Sequence, residues 1–173
     1  MNILILRNGM FLMLFSMIFL AACKDEVDPI DPIQPEENLA ANYNNNVVSE
    51  WIQLYMDIEK DLPGFRPCAT SRALAYIWMS AYEAALPGMP DFVSNDTKLS
   101  GLTVPDLPKD KLKYDWNIAV NAALARSMEH MMAVANTDQR GLINDLESSF
   151  NNTLKTKVSQ EVFNNSQEWG RLV

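Results

Sequence analysis

Residues 64–89 read GFRPCATSRALAYIWMSAYEAALPGM, and the reading of this stretch decides the fold. Pro67 with Thr70 or Ser71 forms a helix start, and Leu86-Pro87-Gly88 forms a stop. Between them, Ala73, Leu74, Ala75, Tyr76, Ile77, Trp78, Met79, Ala81, Tyr82, Ala84 and Ala85 leave almost no polar side. A helix that is apolar all round is expected to be buried, with neighbours on several of its sides. At about 15 residues it is too short to cross a bilayer. The spacing therefore predicts a buried central helix over 70–86, around which the rest of an all-α domain is wrapped.

The flanking segments supply the wrapping. Val48, Trp51, Ile52, Tyr55, Ile58 and Leu62 recur at three- and four-residue steps, an amphipathic helix that stops before Pro63-Gly64. After the central stretch, residues 87–109 carry four prolines and no periodicity, so they read as a long loop, functional or laid along a surface. A third helix is expected from about 110 to 135, with Trp116, Val120, Leu124, Met128, Met131 and Met132 as apolar filler. A fourth runs from about Thr137 to Lys155 on Leu142, Ile143, Leu146, Phe150 and Leu154, and Ser159 opens a fifth. The expected fold is a bundle of about five helices over residues 47–173.

The N-terminus speaks to location. Arg7 is the single charge before an apolar run, Met10 to Leu20, which leads into Leu20-Ala21-Ala22-Cys23. That order of charge, apolar run and small residues is a secretory signal over residues 1–22. Cysteine directly after Leu-Ala-Ala resembles the lipobox of bacterial lipoproteins, which implies acyl chains on Cys23 as the membrane anchor. Lys24-Asp25-Glu26 resembles the surface-export signal of many Bacteroidetes lipoproteins, so an outer-membrane lipoprotein facing periplasm or cell surface is expected. Residues 23–46 then read as an extended tether, because prolines alternate with acidic residues and asparagines follow, a composition that buries too little surface to fold.

The formal net charge of −8, without a basic cluster, argues against nucleic acid as a partner. With Cys23 acylated, Cys68 is the only thiol left, and its apolar setting reads as a buried inert side chain. The chain reaches Trp169-Gly170-Arg171-Leu172-Val173 still apolar. Either its last helix closes onto the helices already present, or it meets a missing C-terminal half or another protein; the second is favoured, with the domain expected to be truncated there.

Residues 64–77, GFRPCATSRALAYI, resemble the first helical signature of bacterial vanadium-dependent haloperoxidase-like proteins in the type 2 phosphatidic acid phosphatase superfamily. Arg66, Pro67, Arg72 and Tyr82 carry that signature, with Ala81-Tyr82-Glu83-Ala84 matching its small-residue segment. Leu99-Ser100-Gly101-Leu102, Tyr114-Asp115-Trp116, Val120-Asn121-Ala122-Ala123 and the Trp169-Gly170 ending are similar as well, so the likeness spans the whole folded part. The resemblance implies phosphate-ester hydrolysis, or halide oxidation with vanadate and peroxide, for a complete protein of this kind.

The family's chemistry sits in Lys-x6-Arg-Pro, Pro-Ser-Gly-His and Ser-Arg-x5-His-x3-Asp, where lysine and arginines clamp an oxyanion and two histidines do the chemistry. Lys60 and Arg66-Pro67 are one residue too close for the first motif, and the other two are absent from this sequence. With His130 as its one histidine, the chain as given has no two-histidine mechanism, and no cofactor or metal site is expected in it. His130 reads as a partly exposed helix residue without a second ligand at helical spacing. Glu83 and Arg72 read as charges paired to neighbouring helices, since buried charges need partners. Two functions follow: the helical scaffold part of a haloperoxidase- or phosphatase-like lipoprotein, or a non-catalytic helical lipoprotein that binds a nutrient or a protein.

Overall fold

The computed structural model describes residues 38–64 and 67–173, and among these no strand occurs. Among the described residues five α-helices form in order: α1 (Asn46–Glu59), α2 (Pro67–Ala85), α3 (Trp116–Met131), α4 (Thr137–Leu154) and α5 (Gln160–Leu172). The all-α bundle read from periodicity is the observed architecture. Its starts are chemically specified: Asp115, Asn136 and Ser159 each accept a backbone N–H of their own first turn, and Asn136 with Gln139 closes a reciprocal capping box.

The hub of the bundle is α3, not the expected helix over 70–86. Helix α3 touches all four of the others. Every residue from Ile118 to Ala125 is buried, whereas α2 buries only Ala73, Ile77, Ala81, Glu83 and Ala84 and leaves Leu74 and Tyr76 exposed. The reason lies in side-chain size. Ala119, Ala122, Ala123 and Ala125 let neighbours approach α3 from every side, while Tyr76, Trp78 and Tyr82, the large aromatic residues of α2, all keep some surface in solvent. Aromatic weight makes α2 look central; smallness is what makes α3 central.

Two of α3's contacts illustrate this close packing. On the α5 side, Gly170 lies so near the Ala119 carbonyl and the Ala122 side chain that no Cβ fits there. Beside it, Trp169 is buried and donates its indole N–H to Ala84 O at 2.9 Å, so this part of the last helix closes onto α2 and α3. Of the apolar residues of the last helix, Trp169 is thus covered within the domain, while Leu172 remains 58% exposed. On the α1 and α4 side, Asn121 is fully buried. Its Oδ1 accepts Trp51 Nε1 at 2.8 Å, and its Nδ2 donates to Glu147 O and Asn151 Oδ1 at 3.2 and 3.1 Å. One side chain thereby ties three helices together with both its polar atoms paired.

The domain also begins earlier than the boundary at 47. Asn38 Nδ2 donates to Lys111 O and Tyr114 O, both at 2.8 Å, and Asn38 O accepts Trp116 Nε1 at 2.8 Å. Tyr43 donates to Asn38 Oδ1 at 2.8 Å, and burial pushes its phenol up to about 12. The last residues of the expected tether are therefore part of the fold, because asparagine, polar enough to suggest a linker, here satisfies the backbone around Trp116. The signal segment, Cys23 and the tether up to residue 37 lie outside the described residues.

Candidate binding cleft

The surface opens where the C-terminal halves of α2 and α3 meet the end of α5. The cleft there holds about 550 Å³, within the range of sites for small molecules or inserted side chains. Its walls are apolar: Tyr76 and Met79 from α2, Met131 from α3, Leu172 from α5, and Leu102 and Val104 from the loop. Tyr76, Met131 and Leu172 are all exposed large hydrophobic residues. Of the three methionines expected as core filler, Met128 and Met132 are buried, while Met131 turns to the opening.

Polar groups lie among these walls. Ser80 Oγ lies 3.0 Å from Ser127 Oγ, and Ser127 donates back to Ala123 O at 2.7 Å. No imidazole or carboxylate bonds to either hydroxyl among the described residues, so neither is set up as a nucleophile. Glu83 is 2% exposed. Its Oε1 accepts both the backbone N–H and the Nδ2 of Asn95, at 2.8 and 2.9 Å, while Oε2 is buried without a hydrogen-bond partner. Glu83 thus pins the long loop, and the expected pairing with a neighbouring helix is corrected: the α2–α3 loop itself folds back to supply the donors.

The basic side chains of the site sit outside this arrangement. Arg126 and His130 are exposed along one edge of the cleft, one helical turn apart on α3. Arg171 pairs with Glu147 of α4. Burial raises the Glu147 carboxyl above its ordinary range, and the Arg171 charge offsets part of that.

The residues singled out in the sequence do not converge here. Pro67 is the exposed first residue of α2, Arg72 is exposed about a turn and a half further on, and Arg66 and Cys23 lie outside the described residues. Tyr82 instead braces the loop, donating to Val93 O at 2.7 Å. Cys68 is exposed and free, not buried, because the inward stripe of α2 runs through Ala73, Ile77, Ala81 and Ala84 and Cys68 falls off it. Sequence reasoning misses Ser80, Arg126 and Ser127 as cleft residues. The available signal is a serine on each of two otherwise apolar helix faces. Among the described residues no group of three or more His, Cys, Asp or Glu is placed to hold a metal ion, and no helix is long and apolar enough to cross a membrane.

No family model, no curated protein and no solved structure matches this chain.

Proposed function

We propose that this chain is the non-catalytic helical scaffold of a lipoprotein resembling the vanadium-dependent haloperoxidases and acid phosphatases, and that its cleft receives a further polypeptide element. The observation that carries the reading is the apolar wall left open between α2, α3 and α5. On the resemblance, the occupant is the half of such a protein that bears the two histidine motifs, and the activity of the whole is phosphate-ester hydrolysis or halide oxidation. Vanadate belongs to that complete protein. The described residues do not fit it, since His130 is exposed at the edge of the cleft and Arg171 is held by Glu147.

The test is to sequence the coding DNA beyond the codon for Val173 and to express whatever frame follows. A continuing frame with Lys-x6-Arg-Pro and two histidine motifs, whose product cross-links to a photoreactive group at Tyr76, supports the scaffold reading. A stop codon overturns it. The volume of the cleft favours the second reading in that event, a lipoprotein binding a nutrient or protein partner. Anchoring through Cys23 at the outer membrane is part of both readings. Cys23→Ser is expected to move the protein out of the membrane fraction, and retention there would sink the anchor.

A further inference from the structure

We infer that the element covering the cleft presents a lysine or arginine nitrogen to Oε2 of Glu83, so that the site recognises a cation carried on an apolar body. This rests on the scaffold reading for the identity of the occupant, while the chemistry of recognition stands on Glu83 itself. A carboxylate at 2% exposure whose second oxygen has no donor is an incomplete arrangement, because buried charge is tolerated when it is paired and fully hydrogen-bonded. The nearby basic side chains are not available: Arg171 is committed to Glu147, and Arg126 and His130 make no hydrogen bond or ion pair with Glu83.

The surroundings fit an apolar cation better than an anion or a plain hydrocarbon. Tyr76, Met79, Leu102 and Val104 offer a wall for methylene groups, as the stem of a lysine or arginine requires. An anion would place like charge beside the buried carboxylate of the cleft. Of the arginines at its edge, Arg126 is exposed and screened by solvent and Arg171 is neutralised by Glu147, so they do not exclude a positive group deeper in. A helix laid along α2 and α3 with one basic residue on its apolar face satisfies both the wall and the oxygen, in the manner of helix-in-groove recognition.

The experiment uses the whole chain and n-hexylammonium as the probe, with n-hexanol and hexanoate as bodies of equal length, and reads saturable NMR shift changes at Tyr76 and Met79. Hexylammonium is expected to bind about tenfold more tightly than hexanol, with hexanoate weaker than both. In Glu83→Gln the preference for the ammonium is expected to vanish. Equal binding of ammonium and alcohol by the unaltered protein overturns the inference, and so does a preference that survives Glu83→Gln. The comparison on the unaltered protein decides without any variant having to fold. If ammonium selectivity is found but no covering segment cross-links at Tyr76, the scaffold reading fails and recognition by Glu83 stands. If a segment cross-links and selectivity is absent, only the recognition by Glu83 fails.

Discussion

Helix α3 meets two kinds of neighbour, and the two sides are finished differently. Toward α1 and α4, the buried polar side chain is Asn121, and both its oxygen and its nitrogen are matched, by Trp51 on one side and by Glu147 and Asn151 on the other. Toward α2 and α5, Asn165 and Ser166 are buried and hydrogen-bonded, but Glu83 is matched at one oxygen only, beside an apolar opening. Both sides are built from small residues on α3, so packing density does not distinguish them. Completion of the polar groups does. A satisfied buried amide reads as internal architecture, whereas a half-satisfied carboxylate beside an open apolar wall reads as an interface still lacking its other side.

The largest expected effect tests whether the α3–α5 seam is as rigid as its geometry implies. Gly170→Val places a branched side chain into the Ala119 carbonyl and is expected to cost about 3 kcal/mol in urea unfolding, the upper range for overpacking. A loss under about 0.5 kcal/mol would mean that α5 is free to slide, and the two sides of α3 would then differ in rigidity as well as in polarity. Next comes the finished side. Asn121→Leu keeps the branched heavy-atom shape but leaves the Trp51 indole N–H without its acceptor, while Asn151 Oδ1 keeps the Gln167 amide, at about 2 kcal/mol by the same measurement. A neutral result would show that the polar tie between α1, α3 and α4 contributes little beyond apolar packing.

A smaller effect concerns the carboxyl that starts α3. Burial raises Asp115 above its ordinary value, against hydrogen bonds from the Ile118 and Asn117 backbone, and burial raises Glu147 as well. A carboxyl raised in the folded state holds its proton more tightly there than in the unfolded chain. Its contribution therefore favours the fold at low pH and is lost as pH rises from the ordinary carboxylate value through the raised one. Asp115→Asn keeps the cap acceptor and removes that dependence, so the variant is expected to gain stability relative to the unaltered protein as the pH is taken up through the carboxylate range to neutrality. Parallel melting curves across that range would contradict the assignment. The smallest effect belongs to the open side: Tyr76→Ser, at a 47% exposed position, is expected to change stability by no more than about 0.5 kcal/mol. A large loss would reveal Tyr76 as a core residue and close the contrast between the two sides.

Much of this is legible in the residues. The helices follow from three- and four-residue spacing, and Val47, Trp51, Tyr55 and Ile58 form the inward stripe of α1. Periodicity misplaces the hub because it measures how apolar a helix is and not how closely others approach it, which the alanines of α3 control. Glu83 stands out as a lone carboxylate among apolar neighbours, but its partner is Asn95, in a loop without periodicity, so the pairing is not readable from spacing. Asn38 reads as linker for the same reason. A polar residue in an irregular segment carries no signal of which distant backbone it will satisfy.

That residue gives the fold a mechanical entry point. Asn38 takes part in four hydrogen bonds, and any pull arriving through the chain before it loads those bonds ahead of every helix. Under tension it acts as a latch whose release would strip the cover from Trp116, which also lies against Gly88, before the bundle itself begins to part.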